Sequence, residues 1–379
     1  MQIAAPHFDD AEIDALRLCL ASGWVTQGPM TRKFEDLIAR RHQVTHALAT
    51  TSCTAALHLA TLAANLGPGD EVVVPAFTWI TSASCVEYVG AKVVFADVDP
   101  ATFNLDPAAF EAAITPKTRA VVAVHLFGLA ASMDEILAIA RRHGLLVIED
   151  AACAIGTSYQ GQPVGGLGDM GCFSFHPRKV ITTGEGGAVT TGSDSLADRI
   201  QSLRNHGATG LPPAELEPHG PWTMGTFNRL GFNLRLSDIQ ASVGVAQFGK
   251  LDALLAHRRA CALRYSELLA DLDELVRPTD GVDCSGHSFQ SYVVRLLAGG
   301  RTRRNAVMAQ LTDVGIQTRP GTHAVHRLGY YRDKYSLLPQ KFPAAATCED
   351  TTITLPIFPG MSPDDQTRVV AVIKSGLTG

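Results

Sequence analysis

Continuous apolar runs alternate with amphipathic segments through about the first 190 residues of the chain. The runs have the length and composition of parallel strands that are covered on both faces. They are Val72–Val74, Val93–Phe95, Val121–Val124 and Leu145–Ile148. Strands that alternate with helical segments in this way predict an α/β domain built on a mostly parallel sheet.

Two capping-box patterns mark predicted helix starts. Ser132-Met-Asp-Glu135 begins one helix, and Gly144 is placed to end it. Ser237-Asp-Ile-Gln240 begins another, which the apolar spacing extends to about His257.

The pattern changes after this second helix. Two strands and two helices are predicted there, at Ser288–Leu297, Thr351–Leu355, 301–315 and 362–377. We therefore predict a large domain over residues 1–245 and a smaller α+β domain over residues 246–379. The stretch 208–222 is rich in proline and glycine, which predicts a long surface loop.

Composition and charge narrow the class of protein. The chain has 379 residues, 46% of them hydrophobic, and a net charge of −5, which gives no basis for binding nucleic acid or an anionic membrane. The first ten residues do not resemble a signal peptide. Eight cysteines without a CxxC pair indicate reduced thiols and a cytoplasmic protein, and no cysteine or histidine spacing predicts a metal site.

The densest chemistry lies between Val147 and Thr191. Asp150 ends a buried apolar strand, at the sheet edge where open α/β sheets bind ligands. Lys179 follows a strand that Pro177 ends, and it precedes a glycine-rich stretch. A lysine that forms a Schiff base and an acid that faces a pyridinium nitrogen are the pair that pyridoxal phosphate (PLP) requires.

Two further features suit the same cofactor. The segment Thr51–Leu57 places small polar residues at the start of a helix, where free backbone N–H groups favour a phosphate, and the hydroxyl of Ser174 could join them. Trp79 follows a strand end and could stack on the cofactor ring, although a core position is equally compatible with its local sequence. The Gly166–Gly171 stretch fits GxGxxG but leads into a strand, which excludes a dinucleotide fingerprint.

These residues stand in a set of motifs that resembles one family, the DegT/DnrJ/EryC1/StrS aminotransferases. The motifs are GWVTQGP (23–29), TSCTAALHLA (51–60), GDEVVVPAFTWIT (69–81), FADVDP (95–100), HLFG (125–128), VIEDAACAIG (147–156), FSFHPRK (173–179), GEGG (184–187), LRNHG (203–207) and GFNLRLSDIQASVG (231–244). The resemblance implies a fold-type-I PLP enzyme that acts on keto sugars, most of them linked to a nucleotide.

The resemblance also implies roles for single residues. Lys179 would bind PLP and act as the catalytic base, while Asp150 would hold the pyridinium nitrogen. The other implied cofactor contacts are Cys53, Thr54, Ala55, Trp79, Cys153, Ser174 and, from the neighbouring subunit of a homodimer, Asn233 or Arg235. At position 153 the family commonly has Gln or His, and Cys153 is a weaker hydrogen-bond donor.

Substrate contacts are the last set that the sequence predicts. The candidates are Thr26, His176, Arg229, Arg319 and His326, with Arg327 and Lys334 as further partners for a diphosphate. The family branch that dehydrates sugars has histidine in place of the lysine, so Lys179 favours transamination.

The predicted reaction moves an amino group from an amino acid, L-glutamate by resemblance, to a nucleotide-linked 4-keto- or 3-keto-6-deoxyhexose. The alternatives are a keto-cyclitol acceptor and a non-catalytic PLP-binding regulator.

Overall fold

A computed structural model describes residues 1–213 and 219–378. Its main sheet has seven strands in the described residues, in the order β1-β10-β9-β6-β5-β2-β4. These strands are β1 (His46–Thr50), β2 (Glu71–Pro75), β4 (Lys92–Ala96), β5 (Thr118–Val124), β6 (Leu146–Asp150), β9 (Met170–Ser174) and β10 (Gly187–Thr191). Strand β10 runs opposite to the other six strands, which are parallel to one another, and this confirms the predicted α/β fold on a mostly parallel sheet.

Helices cover this sheet and build the C-terminal part of the chain. They are α1 (Asp10–Ser22), α2 (Pro29–His42), α3 (Cys53–Ala63), α4 (Thr81–Tyr88), α5 (Pro107–Ala112), α6 (Met133–His143), α7 (Asp194–Arg204), α8 (Asp238–Gly249), α9 (Leu251–Leu268), α10 (Gly300–Asp313), α11 (Gly329–Tyr335), α12 (Pro343–Thr351) and α13 (Pro363–Thr378). The four predicted apolar runs lie in β2, β4, β5 and β6 (Leu145 just precedes β6), whose side chains are largely buried because helices pack on the sheet.

The helix ends show which cap predictions hold. Ser237 and Gln240 form the predicted capping box of α8, and Gly144 ends α6 in the left-handed conformation at φ 64°. The capping box predicted at Ser132 is wrong, since its side chain makes no cap hydrogen bond. The long helix predicted from Ser237 is divided at Lys250 into α8 and α9.

The C-terminal part has its own antiparallel sheet, in the order β11-β12-β14. Its strands are β11 (Leu275–Val276), β12 (Tyr292–Leu296) and β14 (Thr352–Leu355), and short pairs elsewhere join β3 (Phe77–Thr78) to β13 (His323–Ala324) and β7 (Ser158–Tyr159) to β8 (Gln162–Pro163). Helix α9 packs at Leu254 on the apolar cluster that contains Phe34 and Phe175, and from Cys261 onward on the cluster around β12 and β14. The predicted boundary at 245/246 lies inside α8, so the division remains a prediction.

A buried network lies next to the edge where the parallel strands end. The carboxylate of Glu149 accepts a hydrogen bond from His125 at 2.8 Å, and both side chains are fully buried. The same carboxylate accepts from the backbone N–H groups of Gly165, Leu167 and Gly168. This network fixes the end of β6, where the next residue is Asp150.

Three further predictions concern membrane-spanning helices, metal sites and the loop 208–222. None of the described helices is both long enough and apolar enough to cross a membrane. Across residues 1–213 and 219–378, no cluster of three or more His, Cys, Asp or Glu could hold a metal ion. The predicted loop 208–222 has no helix or strand in its described residues, and residues 214–218 of it lie outside them.

Candidate active site

Lys179 lies just beyond β9, as the sequence predicts. Its backbone N–H donates to the carbonyl of His176 at 2.8 Å, which closes a turn after the strand. Its ammonium group donates to the sulfur of Cys153, with 3.1 Å between Nζ and Sγ. The turn and this contact hold the amine of Lys179 near the carboxyl edge of the sheet.

Asp150 is the last residue of β6, and only 4% of its surface is exposed. The hydroxyl of Ser82 donates to Oδ2 at 2.6 Å, and the backbone N–H of Ala152 donates to Oδ1 at 3.1 Å. Ser82 lies in α4 and exchanges a further hydrogen bond with Thr78 at 3.0 Å. A buried carboxylate with both oxygens bonded keeps one orientation.

The start of α3 lies beside these two residues. Burial raises the pKa of the Cys53 thiol well above its ordinary value, the charge of Asp150 raises it further, and Lys179 opposes the rise. Cys53 is therefore within electrostatic reach of both groups. Strand β10 approaches the same helix end closely, since a Cβ on Gly187 would lie 2.4 Å from the carbonyl carbon of Ser52.

The backbone N–H groups at this helix end are the predicted phosphate cradle. Ser52 is the N-cap of α3, and its hydroxyl accepts from the N–H of Ala55 at 3.1 Å. The Ala55 amide is therefore already bonded within the chain, so a phosphate contact there would have to displace Ser52. The first N–H groups of a helix have no intrahelical partner, which favours Cys53 and Thr54 for this role. Ser174 ends β9, and its Oγ accepts from the N–H of His176 at 3.4 Å.

Trp79 borders a large cavity. Its side chain is 54% exposed, and its ring centroid lies 5.7 Å from that of His323. This exposure excludes the core position that its local sequence also allowed. The pairing of β3 with β13 brings the two rings together, because His323 lies opposite Thr78. The cavity has a volume of about 650 Å³, and Trp79 and His323 both line it.

Arginine side chains dominate the lining of this cavity. Those that line it are Arg301, Arg304, Arg319, Arg327 and Arg332, and Glu349 also lines it. Arg319 and Arg327 were predicted diphosphate partners. The other two candidates, Arg229 and Lys334, are not among the residues that line the cavity. Arg229 is exposed, and Lys334 forms an ion pair with Glu87.

The remaining substrate candidates differ in exposure. His326 is fully buried, and its Nε2 lies 3.0 Å from the carbonyl oxygen of Pro339, so its contact with the substrate stays a prediction. His323, three residues earlier, lines the cavity instead. His176 is half-buried beside Lys179, while Thr26 is exposed and its carbonyl accepts from the N–H of Asp238 at 3.0 Å.

Arg235 and Asn233, the two candidates for a contact with a neighbouring subunit, differ in their surroundings. The side chain of Arg235 donates to the side-chain oxygen of Asn205 within the same chain. Asn233 is exposed. The backbone beside them is held near α3, because the N–H of Thr51 donates to the carbonyl of Leu234 at 3.1 Å. Asn233 is the more exposed of the two side chains, and a contact from either to another subunit stays a prediction.

Comparison with known proteins identifies this arrangement. The sequence profile of the DegT/DnrJ/EryC1/StrS aminotransferase family matches residues 6–374. The chain belongs to this family. Among curated relatives, GDP-perosamine synthase from Caulobacter vibrioides is 41% identical over 374 residues, covering 98% of this chain and 97% of the relative. The spore coat polysaccharide biosynthesis protein SpsC of Bacillus subtilis is 36% identical, covering 99% and 96% respectively.

Solved structures agree with the family assignment. Spr1654 from Streptococcus pneumoniae in its PMP form superposes with a TM-score of 0.93 at 27% identity, covering 99% of this chain and 98% of that one. The same protein is also known in a PLP form. The chain is thus a fold-type-I, PLP-dependent sugar aminotransferase, which confirms the predicted fold, cofactor and enzyme class.

The residues of this family member fit PLP. The buried carboxylate of Asp150 and the amine of Lys179 are both within electrostatic reach of Cys53, the first residue of α3. Trp79 offers an exposed aromatic face at the cavity. Sequence reasoning missed Ser82 and His323, because each acquires its place only through tertiary contacts, with Asp150 and with β3.

Proposed function

We propose that this enzyme transfers an amino group from L-glutamate to a nucleotide-linked 4-keto-6-deoxyhexose, or its 3-keto isomer. The observation that carries this proposal is the arginine-lined cavity that begins at Trp79. The name of the 41% identical relative, GDP-perosamine synthase, supports guanosine diphosphate as the nucleotide. The free thiols of all eight cysteines agree with the cytoplasmic location predicted from sequence.

Lys179 and Asp150 are the proposed catalytic residues. When bound, PLP withdraws electrons from the carbon that bears the amino group, so that a proton can leave that carbon. Lys179 Nζ is the base that removes this proton and later returns one, and its contact with Cys153 directs the amine. Asp150 would hold the ring nitrogen and keep it protonated, because Ser82 and Ala152 fix the orientation of its carboxylate.

The charge of the cavity favours an acceptor that carries a diphosphate. Five arginines line it, and Glu349 and Asp350 neutralise part of their charge through ion pairs with Arg301 and Arg327. Guanidinium groups bind phosphate oxygens in bidentate fashion. A keto-cyclitol has no anionic group for this surface, which makes it the weaker of the two acceptor classes.

A panel of acceptors tests the acceptor class. The enzyme would first be converted to its amine-loaded form with L-glutamate, and then mixed with the GDP-, UDP- and dTDP-linked keto sugars, the free keto sugar and a keto-cyclitol. We expect kcat/KM for the free sugar to be at least about 100-fold below that of the GDP-linked sugar, because the binding energy of the diphosphate is lost. Equal rates with a keto-cyclitol would contradict the proposal.

A homodimer with shared active sites is the second part of the proposal. Large apolar side chains are exposed close together between residues 222 and 232. They are Trp222, Met224, Phe227, Leu230 and Phe232, and Leu230 is 90% exposed. A further surface cavity, of about 450 Å³, is lined by Phe8, Ile13 and Val243 among other residues. Exposed apolar surface of this kind is typical of a subunit interface, and Asn233 lies beside it.

Leu230→Asp should therefore yield monomers. Burying an unpaired carboxylate in an apolar interface costs several kcal/mol, so the dimer dissociation constant should rise at least about 100-fold. Sedimentation velocity across protein concentrations measures this, with Leu297→Asp as the control at an exposed leucine of the C-terminal part. A wild-type chain that sediments as a monomer, or a Leu230→Asp variant that dimerises like it, would refute the interface.

A further inference from the structure

Residues 287–291, a buried segment just before β12, connect the C-terminal part of the chain to loops at the carboxyl edge of the main sheet. The N–H of Ser288 donates to the carbonyl of Gly128 at 3.1 Å. Gly128 ends a short turn that begins after His125, and the N–H of His125 donates to the carbonyl of Asp150 at 3.0 Å. The segment is therefore linked, through one turn, to the residue that carries the proposed catalytic carboxylate.

The contact at Gly128 is closely packed. A Cβ there would lie 2.3 Å from Oγ of Ser288 and 3.2 Å from the carbonyl oxygen of Cys153, and the φ of Gly128 is 100°. Glycine suits both this conformation and this close approach. The loop of Cys153, whose sulfur accepts from Nζ of Lys179 at 3.1 Å, thus packs on the same segment.

Gln290 extends this connection to the backbone of Lys179. Its side-chain Nε2 donates to the carbonyl of Arg178 at 2.9 Å. That carbonyl belongs to the rigid peptide group that ends at the nitrogen of Lys179, and the N–H of the same peptide group donates to the carbonyl of His176 at 2.8 Å. Both polar atoms of the peptide before Lys179 are therefore bonded, one of them by the C-terminal part. The plane from which the Lys179 side chain starts is fixed as a result.

The amide of Gln290 is itself held in one orientation. The residue is only 7% exposed, and its Oε1 accepts from the hydroxyl of Ser291 at 3.1 Å, which leaves Nε2 to face Arg178. Its backbone carbonyl accepts at 3.1 Å from Arg258, a fully buried arginine of α9 that also donates to the carbonyl of Ile357 at 3.4 Å. A donor fixed in this way can orient the group that it bonds.

We propose that Gln290 is a positioning residue for Lys179. This inference rests on the proposed function, in which Nζ of Lys179 removes a proton from the donor and later returns one. That amine must stay within reach of the reacting carbon while it is free, and a small displacement of a catalytic group slows proton transfer strongly. Gln290 limits the displacement by fixing the backbone of Lys179, and it contacts neither the donor nor the acceptor.

Gln290→Met tests the inference, because methionine has a similar length and volume but no N–H donor. We expect the maximal rate of the donor half-reaction to fall at least about tenfold, while the half-saturating concentration of L-glutamate stays within about threefold of wild type. With L-glutamate deuterated at its α-carbon, the isotope effect on this rate should increase, since proton transfer becomes the slower step. Cofactor-free Gln290→Met mixed with PLP should also develop the absorbance of the lysine-bound cofactor more slowly than wild type.

Gln366→Met is the matched control. Gln366 is a buried glutamine of α13, and its Nε2 donates to the carbonyl of Cys261 at 2.7 Å. The same substitution therefore removes the same kind of buried hydrogen bond within the C-terminal part. A variant that is only destabilised loses active protein but keeps its isotope effect, so Gln366→Met should keep the wild-type isotope effect and the wild-type rate of reaction with PLP.

The outcomes separate this inference from the proposed function. A folded Gln290→Met with the wild-type rate and isotope effect would overturn the role of Gln290, and so would equal changes in Gln366→Met. If Gln290→Met does not fold, Gln290→Glu decides at about pH 8, where an ionised carboxylate cannot donate to Arg178, and unchanged kinetics would overturn the inference. Turnover by Lys179→Ala in the same assay would defeat the proposed function and this inference together, whereas an inactive Lys179→Ala beside a wild-type Gln290→Met would defeat the inference alone.

Discussion

Replacing Lys179 with alanine should reduce transamination by at least about 10⁴-fold, because the variant loses both the amine that binds PLP and the catalytic base. The side chain is partly exposed and donates a hydrogen bond to Cys153, so the fold should be retained without it. The measurement is kcat for amination of the GDP-linked keto sugar, together with the absorbance of the lysine-bound cofactor.

Lys117→Ala is the matched control, because Lys117 is an exposed lysine on the loop before β5. It should keep wild-type turnover and wild-type absorbance. A Lys179→Ala protein that is folded and still transaminates at the wild-type rate would refute the assignment of the base.

Asp150→Asn should lower kcat by about 10² to 10³-fold, the range typical of losing one preorganised electrostatic group in an active site. The amide has nearly the same shape and can still accept the hydrogen bond from Ser82, so stability should change little. What the variant lacks is the negative charge that holds a proton on the ring nitrogen. Steady-state kinetics on the PLP-loaded variant measures the effect, and thermal unfolding checks the fold.

Ser82→Ala separates charge from orientation. It removes the 2.6 Å hydrogen bond to Asp150 but leaves the carboxylate, so we expect a loss of about tenfold or less. If Asp150→Asn were as active as wild type, Asp150 would have only a structural role. If Ser82→Ala lost as much activity as Asp150→Asn, orientation rather than charge would explain the effect.

The sequence predicted the parts of the site that depend on local pattern. Continuous apolar runs identify buried parallel strands, and the strand that ends at Asp150 places the carboxylate at the ligand-binding edge. The strand predicted to end at Pro177 likewise placed Lys179 past a strand end, although β9 already ends at Ser174. These predictions needed only the spacing of residues within one element.

Other parts depend on contacts between distant segments. His323 reaches Trp79 only because β13 pairs with β3, and His326 is buried where its ring contacts Pro339 and Phe342 from a later segment. The contact between Lys179 and Cys153 joins residues from two loops, so the sequence could not assign a role to the thiol. The capping box at Ser132 fails although its motif is present, since a motif does not guarantee the side-chain geometry of the cap.

We expect Lys179 to hold the cofactor and to release it when the donor arrives. Borohydride reduction of the PLP-loaded wild-type protein, followed by peptide mass mapping with and without prior L-glutamate, tests this claim most directly. We predict one labelled peptide, with the pyridoxyl group on Lys179, and loss of that label after L-glutamate. A label on another lysine, or a label on Lys179 that persists after saturating L-glutamate, would contradict the account.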